Sequence, residues 1–291
     1  MPDKPLVSVI IASYNHAPYI EASIRSVLEQ TYTNIELLVV DDGSSDDSLS
    51  IIQRLSAQHG FSFIAQANKG LAATLNESIA RARGALIAPF GSDDVMLPHR
   101  LQTQVEYMRD KPEVGICAGA IQIIDESGGL ITHQPRKAHF RRLDFNAVFD
   151  SDLPGAPAPT LLFRREALET VGGFDPEVKL EDLLIELKVT AAGYFIDVLE
   201  TPLALYRKHC TNTYKDRRFM IDNVLKTYDQ FRKHPRYPKA RARFLNSMLL
   251  KTSKDDPALA REILGHIPIH HWNLKTARAL FRLVLCQPTA P

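Results

Sequence analysis

The amino-acid sequence predicts an α/β protein built on a doubly wound, mostly parallel sheet, followed by a helical extension. Three observations support this prediction. Through residue 98, short apolar runs typical of buried strands alternate with stretches of helical periodicity. A polar loop follows each of these runs. From residue 215 onward, apolar positions at helical spacing are surrounded by Lys and Arg, which predicts amphipathic helices.

The first 98 residues contain four predicted strands, which are rich in aliphatic residues and bounded by Pro, Gly or polar residues. The helices between them are indicated by apolar residues three and four positions apart, such as Ile20, Ile24 and Val27. This alternation is typical of a parallel sheet covered by helices. The predicted strands are residues 6–12, 35–40, 61–65 and 85–90; the predicted helices are residues 18–30, the segment carrying Leu49, Ile52 and Leu55, and residues 68–83.

After residue 98 the predicted elements are shorter and less regular. Residues 114–118 and 121–124 are interpreted as two short strands, and the turn at residues 125–129 predicts a hairpin. Residues 137–149 are basic and are predicted to be helical, whereas the Pro- and Gly-rich residues 153–159 form either a lid or a simple connector. Further strands are predicted at residues 160–163, 194–198 and 202–206, and a helix at residues 181–192.

Length and composition indicate a folded protein without membrane spans. The chain has 291 residues, of which 45% are hydrophobic, and this is ample for a full core. No apolar run reaches the roughly 18 residues that a membrane span requires, and the N-terminus lacks the pattern of a secretory signal, so we expect a cytoplasmic protein. The three cysteines are far apart, which argues against a disulfide framework or a zinc site.

Charge is distributed unevenly along the chain. Residues 1–214 carry 19 Lys and Arg against 28 Asp and Glu, a balance of −9, whereas residues 215–291 carry 16 against 6, a balance of +10. An acidic body suits a site that uses a cation, and a basic extension suits phosphates or an anionic membrane surface. Nucleic acid is a poor partner, because the acidic body would repel its backbone.

Polar loops follow the strands of the predicted parallel sheet on the side where their carboxyl ends meet. Ligands of open α/β sheets bind at this edge, so residues 12–15, 41–42, 68–69 and 92–94 are expected to lie close together. Residues 13–17 (SYNHA) match neither G-x-G-x-x-G nor the P-loop pattern. The sequence therefore predicts a ligand site of a different kind from those two nucleotide sites.

Asp93 and Asp94 form a carboxylate pair directly after the fourth predicted strand. Ionised carboxylates this close repel each other unless a cation or water lies over them, which favours a metal site. Ser92 or Asp93 could equally cap the helix that begins near Pro98, and this stretch alone does not separate the two interpretations. The acids of the Glu181-Asp182 pair are favoured in a first helical turn by the helix dipole in any case.

Several short motifs follow one another in a fixed order, and together they resemble those of inverting family 2 glycosyltransferases with the GT-A fold, of the type that builds bacterial cell-surface glycans. Each motif is weak alone, whereas the ordered set is specific. The motifs are residues 7–15 (VSVIIASYN), 40–44 (VDDGS), 68–70 (NKG), 92–94 (SDD), 172–175 (GGFD), 181–182 (ED) and Arg207-x-His209.

The resemblance covers about residues 5–214 and implies a domain organisation. Residues 1–214 would form the glycosyltransferase domain, with a Rossmann-like nucleotide-sugar-binding half at about residues 1–98 and an acceptor-binding half at about residues 99–214. Residues 215–291 would form a basic helical C-terminal extension.

The resemblance also implies a role for each matched residue. Asp182 corresponds to the catalytic base, which takes the proton from the acceptor hydroxyl. Asp93 corresponds to the metal-binding acid with Asp94 supporting it, and His209 closes on the metal or the diphosphate. The implied nucleotide-binding residues are Ala12, Ser13, Tyr14, Asp41, Asp42, Lys69, Asn76, Ser92 and Arg207. The implied acceptor side includes Glu181, Gly173 and Phe174.

Among these residues, Asp42 is expected to accept hydrogen bonds from a uracil-like base, and Arg207 to neutralise phosphate charge. Lys69 and Asn76 would lie near the ribose or the diphosphate. The implied cofactor is Mn²⁺ or Mg²⁺, which stabilises the charge on the departing diphosphate. One position departs from the family pattern: many relatives carry an acid two residues before the metal-binding Asp, and this chain has Gly91 there.

The resulting hypothesis is a metal-dependent inverting glycosyltransferase that uses a UDP-sugar and a glycan or lipid-linked acceptor. The expected location is the cytoplasm, with attachment to the inner face of the membrane through the C-terminal helices, and a homodimer is an open alternative to a monomer. A non-catalytic nucleotide-sugar-binding scaffold is the alternative function. A sugar-nucleotide pyrophosphorylase is disfavoured, because residues 13–18 lack the Gly- and Arg/Lys-rich loop such an enzyme would carry.

Overall fold

A computed structural model of the protein describes residues 4–131, 139–150, 155–210, 212 and 215–285. These residues divide into two compact units. The first contains the described residues up to Val148 and from Gly155 to Cys210, and the second contains Phe149, Asp150, Asn212 and residues 215–285. The sequence does not predict that Phe149 and Asp150 belong with the second unit. The limits of the 1–214 and 215–291 domains stay a prediction.

The first four strands of the first unit form the parallel half of the sheet, as predicted. Their spatial order is β3-β2-β1-β4, and every pair in that row is parallel. Aliphatic residues of β1 are fully buried because helices cover both faces of the sheet. The strands are β1 (Val7–Ser13), β2 (Ile35–Asp41), β3 (Ser62–Ala65) and β4 (Leu86–Gly91); the helices are α1 (Ile20–Leu28), α2 (Ser48–His59) and α3 (Leu71–Arg81).

The remaining strands continue the same sheet in mixed orientation. The elements are β5 (Val95–Met96), α4 (Arg100–Met108), β6 (Val114–Ile124), β7 (Arg141–Leu143), α5 (Phe145–Phe149), β8 (Leu162–Arg164), α6 (Arg165–Thr170), α7 (Glu181–Ala191) and β9 (Phe195–Arg207). β8 pairs antiparallel with β4 and β6, β6 pairs parallel with β9, and β5 and β7 both pair antiparallel with β9. The carboxyl end of β9 therefore lies on the same side of the sheet as the carboxyl end of β6.

Two predicted pairs of short strands are each one long strand. Residues 114–118 and 121–124 together form β6, and residues 194–198 and 202–206 together form β9. Register shifts between β6 and β9 absorb the irregular residues. At Gly119 a β-carbon would lie 2.4 Å from a methyl carbon of Leu203, so the glycine permits the close approach. The predicted hairpin is reduced to a single antiparallel bridge between Ile124 and Leu130.

The helix predicted at residues 137–149 is wrong for most of its length. Residues 141–143 form β7, because their backbone completes the edge of β9, and only Phe145–Phe149 are helical. Residues 137 and 138 lie outside the described residues. In the predicted loop at residues 153–159, the described part ends in a 3₁₀ turn at Ala158–Thr160.

The second unit is helical, as predicted for the extension. Its helices are α8 (Arg217–Asp229), α9 (Tyr237–Asp255), α10 (Pro257–Gly265) and α11 (Leu274–Leu285). Their apolar stripes meet in one core that includes Ile221, Leu249 and Ile263. The Asp150 carboxylate is buried beside Arg243 (3.1 Å) and Lys239 (3.1 Å), so part of the basic charge has an internal role.

Candidate active site

Strands β1, β2, β4 and β9 of the first unit end at one edge of the sheet, and several of the predicted site residues lie at or just after these ends. Ser13 at the end of β1 is in register with Asp41 at the end of β2, and Ala12 is in register with Gly91 at the end of β4. The Asp42 amide donates a hydrogen bond to the Ser13 carbonyl (2.8 Å), which fixes the two loops to each other. Parallel pairing therefore produces the convergence of loops that the sequence predicts.

Ser13 and Asp41 present buried polar atoms with unused hydrogen-bonding capacity. Asp41 Oδ2 accepts a hydrogen bond from the Ser44 amide (3.0 Å), whereas Asp41 Oδ1 and Ser13 Oγ are buried without a partner among the described residues. Unpartnered buried polar atoms are costly in a folded protein, and a ligand is one group that could supply the missing bond. The exposed side chain of Tyr14 follows Ser13 in the chain, so an aromatic ring lies next to these polar atoms in sequence.

Asp42, by contrast, is fully engaged by the protein. Asp42 Oδ1 accepts hydrogen bonds from the Lys69 amide (2.9 Å) and Gln66 Nε2 (2.8 Å), and Oδ2 accepts one from the Gly70 amide (2.9 Å). Burial alone would raise the pKa of Asp42, but these hydrogen bonds hold it below its usual value. Asp42 therefore fixes the turn at residues 66–70, and its contact with a base stays a prediction.

Lys69 and Asn76 also have partners within the protein. Lys69 Nζ forms an ion pair with Glu77 (2.8 Å), which it would have to leave to reach a diphosphate. The Asn76 amide is bonded at both ends to Phe174, donating to its carbonyl (2.7 Å) and accepting from its backbone amide (2.9 Å). A β-carbon at Gly173 would lie 2.6 Å from Asn76 Oδ1. Asn76 therefore anchors the predicted acceptor-side turn at Gly173 and Phe174.

Three side chains converge into a group that could hold a metal ion. His16 lies in the loop after β1, Asp93 follows β4, and His209 lies two residues beyond β9; one potential ligand atom from each lies within 4.8 Å of the other two. His209 Nε2 lies 2.9 Å from Asp93 Oδ2. The sequence predicts Asp93 and His209 but misses His16. Its position three residues after β1, at the ligand-binding edge, is the signal that could have indicated it.

Asp94 and Arg207 support this group from behind. Asp94 Oδ1 accepts a hydrogen bond from the Arg207 amide (2.9 Å), and Arg207 Nε donates one to the Asp93 carbonyl (2.8 Å). Burial, together with the charge of Asp93, raises the pKa of Asp94 to about 8. The Arg207 guanidinium lies 5.0 Å from the centre of the Tyr19 ring and also donates to the Glu126 carbonyl (3.0 Å). Both residues hold the turn that presents Asp93, and their predicted contacts with metal and phosphate stay predictions.

The donor set of His16, Asp93 and His209 fits a divalent cation of the kind that the family resemblance implies. Imidazole nitrogen and carboxylate oxygen are both suitable ligands for first-row divalent metals such as Mn²⁺. Ser92 Oγ lies 2.7 Å from His16 Nδ1, which leaves Nε2 of that ring as its remaining ligand atom. Burial lowers the pKa of His16, which favours the neutral ring that binds metals.

A second acidic group lies at the beginning of α7 and contains the predicted base. Asp182 Oδ1 accepts a hydrogen bond from the Leu183 amide (2.8 Å), but burial dominates and raises the pKa of Asp182. Burial and the charge of Asp182 raise the pKa of Glu181 to about 7. Glu186, one turn further along the helix, is 2% exposed, and burial raises its pKa well above the usual value. The sequence does not predict Glu186 as part of this group.

Comparisons with known proteins show which family the sequence resembles and which solved structures share its fold. The sequence pattern of Glycosyl transferase family 2 matches residues 8–172. An uncharacterized glycosyltransferase of Nostoc sp. is 33% identical over 222 residues, which are 72% of this chain and 66% of that protein. The chain thus spans slightly less than two thirds of this relative.

Two solved structures have the same fold. One is Staphylococcus aureus TarS 1-349 in complex with UDP-GlcNAc, which matches with a TM-score of 0.68 at 16% sequence identity. The match covers 91% of this chain and 82% of TarS 1-349. The other is the mannosyltransferase PcManGT from Pyrobaculum calidifontis, in complex with GDP-Man and Mn²⁺, which matches with a TM-score of 0.61 at 18% sequence identity. That match covers 97% of this chain and 87% of PcManGT. These likenesses confirm the predicted GT-A-like α/β fold. Within the described residues, no helix is long and apolar enough to span a bilayer.

Proposed function

The chain belongs to Glycosyl transferase family 2, and from this premise we propose that it transfers a sugar from a UDP-sugar to a glycan or lipid-linked acceptor hydroxyl, with inversion at the anomeric carbon. The observation that supports the proposal is the convergence, at one sheet edge, of the unpartnered polar atoms of Ser13 and Asp41 with the group of His16, Asp93 and His209, which could hold a cation. In this proposal Ser13 and Asp41 recognise the pyrimidine base of the donor, and a cation held by His16, Asp93 and His209 binds its diphosphate.

Asp41 supplies the base recognition in this proposal. Its unpartnered Oδ1 is an acceptor for the imide N–H of uracil, and Ser13 Oγ can donate to a carbonyl of the same ring. The exposed Tyr14 ring offers an apolar surface for the base. A base with no imide N–H at this position would leave the Asp41 oxygen buried and unpaired. The binding free energy of a donor with such a base should then be less favourable by about 1–3 kcal/mol.

His16, Asp93 and His209 would hold the divalent cation. When bound, the cation stabilises the negative charge that develops on the departing diphosphate. The chain itself contributes the fixed position of Asp93, which the hydrogen bond from Arg207 to the Asp93 carbonyl (2.8 Å) maintains. Preorganised charge of this kind needs no rearrangement during the reaction, which is the main source of its catalytic effect.

Asp182 is the proposed general base. It accepts the proton of the acceptor hydroxyl as that oxygen attacks the anomeric carbon, and a single displacement inverts the configuration there. Because burial raises its pKa, the Asp182 carboxylate is a stronger base than an exposed aspartate. A base must be ionised to act, so the rate is expected to fall as the pH drops through this raised pKa.

A panel of nucleotide sugars tests the proposed donor. With Mn²⁺ present, release of nucleoside diphosphate should be fastest from UDP-sugars, and Asp93→Asn should abolish it because that variant loses the cation-binding carboxylate. Asp110→Asn is a matched control that makes the same change at an exposed aspartate of the first unit. Release from GDP-sugars alone would contradict the assignment of the base.

Gly91 is the reason to consider a non-catalytic alternative, since many relatives carry an acid at this position and this chain does not. A non-catalytic nucleotide-sugar-binding subunit would bind UDP with Mn²⁺ and would release no nucleoside diphosphate from any donor with any acceptor. The same panel, combined with calorimetry for UDP, separates the two functions.

We further propose that α11 attaches the protein to an anionic membrane surface. Leu274, Phe281 and Val284 are 74%, 67% and 69% exposed and, with Arg278, lie on one face of the helix, whereas Ala279 and Leu283 pack inward. An exposed apolar face next to basic residues suits the interface of a membrane with anionic lipids. A homodimer stays a prediction.

Vesicle sedimentation tests this attachment. We expect more protein on vesicles containing anionic lipid than on neutral vesicles at low salt, and a several-fold loss for Phe281→Ser combined with Val284→Ser. Leu130→Ser, in an exposed turn of the first unit, is the control. Equal binding to neutral and anionic vesicles would contradict the proposal.

A further inference from the structure

A side chain at position 91 would crowd the two carboxylates that follow it. A β-carbon there would lie 2.8 Å from Asp93 Oδ1 and 2.9 Å from Asp94 Oδ2, because both carboxylates turn back over the glycine. The Gly91 carbonyl also accepts a hydrogen bond from Ser23 Oγ (2.8 Å), which holds the backbone in this place. An acidic residue at position 91 would require Asp93 and Asp94 to shift, and in this chain Gly91 offers no side-chain ligand at the end of the strand.

His16 reaches the same group from the other side and is held there by its neighbours. Its backbone amide donates to Ser48 Oγ (3.0 Å), and the amide of the next residue, Ala17, donates to Asp46 Oδ2 (2.9 Å). Its ring is oriented by Ser92 Oγ at 2.7 Å from Nδ1 and by the ring of His209, whose centre lies 5.7 Å away. The half-buried imidazole is thus fixed, with Nε2 left for a further partner.

We propose that His16 is the third protein ligand of the cation, that it takes the place of the ligand Gly91 cannot supply, and that it makes the site select Mn²⁺-like metals over Mg²⁺. This inference deepens the proposed function and rests on it for the identity of the cofactor class. The protein would present two imidazole nitrogens and one carboxylate oxygen from His16, His209 and Asp93.

Ligand chemistry determines the selectivity. Mg²⁺ is a hard ion that prefers oxygen ligands and gives up its waters reluctantly, whereas imidazole binds later first-row metals more strongly. Two ligand atoms on opposite sides of one ion lie about 4 Å apart. The three ligand atoms, within 4.8 Å of one another, therefore need only a small adjustment to reach a shared ion.

The test measures metal binding directly and needs no sugar transfer. Mn²⁺ and Mg²⁺ are titrated separately into the full chain in the presence of UDP, for the wild type, His16→Gln and His16→Asp. We expect His16→Gln to weaken Mn²⁺ binding at least tenfold and to change Mg²⁺ binding much less. His16→Asp should restore tight binding but lower the ratio of Mn²⁺ to Mg²⁺ affinity. His59→Gln, an exposed histidine at the end of α2, is the matched control.

Pulsed electron paramagnetic resonance of bound Mn²⁺ provides a second readout. Nitrogen couplings from two imidazoles are expected in the wild type and from one in His16→Gln, with far-UV circular dichroism confirming that the variant is folded. If His16→Gln is unfolded, Ser92→Ala, which frees the ring, should still weaken Mn²⁺ binding.

The possible results distinguish an error in the role of His16 from an error in the proposed metal dependence. Unchanged Mn²⁺ affinity and unchanged nitrogen couplings in His16→Gln would overturn the role of His16 and leave the proposed function intact. A wild-type protein that binds UDP but no Mn²⁺ would overturn both the role of His16 and the metal dependence.

Discussion

Glu186 is a buried acid whose protonation should make the stability of the protein depend on pH. Its side chain is 2% exposed, and a β-carbon at Gly155 would lie 2.9 Å from its Oε2. The Ala156 backbone stabilises the carboxylate through a hydrogen bond, and Arg141 lies close enough to favour the charged form. Burial outweighs both effects and raises the pKa of Glu186 well above the usual value, so the folded protein prefers the protonated acid.

Because the pKa of Glu186 is raised in the folded protein, the free energy of unfolding should fall as the pH rises. A group whose pKa is higher in the folded than in the unfolded state contributes stability that is fully present below the unfolded pKa and is lost as the pH rises through the folded pKa. Between these two values one extra proton is bound in the folded state. The unfolding free energy therefore falls by about 1.4 kcal/mol per pH unit from this group alone.

Glu186→Gln removes the titration and keeps the size and the acceptor oxygen of the side chain. Relative to this variant, the wild type should lose unfolding free energy as the pH rises above the usual pKa of a glutamate, at up to about 1.4 kcal/mol per pH unit. Urea denaturation followed by circular dichroism measures the difference, and contributions from Glu181 and Asp182 largely cancel because both proteins retain them. The exposed Glu177 serves as control, and Glu177→Gln should show no such difference. Parallel stability curves for the wild type and Glu186→Gln would contradict a protonated Glu186 in the folded protein.

Two further predictions concern buried polar groups. Asp41→Asn should weaken UDP binding by about tenfold, since the one amide oxygen would be needed by the Ser44 amide and the NH₂ group would face the base; unchanged affinity in calorimetry would contradict this. Arg100→Met should lower the unfolding free energy by about 3 kcal/mol, because the buried guanidinium donates to the carbonyls of Pro159 (2.6 Å) and Leu161 (3.0 Å), which the variant leaves unpaired. A loss below about 1 kcal/mol in urea denaturation would show that these carbonyls find other partners.

The parallel half of the sheet could be predicted from the sequence because its signals are local. Aliphatic runs in β1 and β2 are buried on both faces, and the helices between strands carry regular apolar stripes. The second half could not be predicted as well, since its strands depend on distant partners. β7 forms because its backbone pairs with the edge of β9. Within β6, position 119 is a glycine because a β-carbon there would collide with the Leu203 side chain.

The candidate site shows the same division. Loop positions after the strands indicated Asp93 and Asp41, and the structure places both at the expected edge. Hydrogen-bond partners could not be predicted, and they decide what each side chain is free to do: the backbone of residues 66–70 engages Asp42, and Phe174 engages Asn76. His16 belongs to none of the motifs, so beyond its position after β1 only its three-dimensional approach to Asp93 and His209 indicates that it could bind a cation.

The most direct test of the account is the rate of sugar transfer by Asp182→Asn compared with the wild type, measured as UDP release with the best donor and acceptor at saturating Mn²⁺. Removing a general base typically costs a factor of about 10²–10⁴. We expect a loss of that size, with UDP affinity in calorimetry nearly unchanged because Asp182 does not contact the nucleotide in the proposed mechanism. Transfer at the wild-type rate by Asp182→Asn would contradict the role of Asp182 as the base, because no other residue is assigned to take the proton.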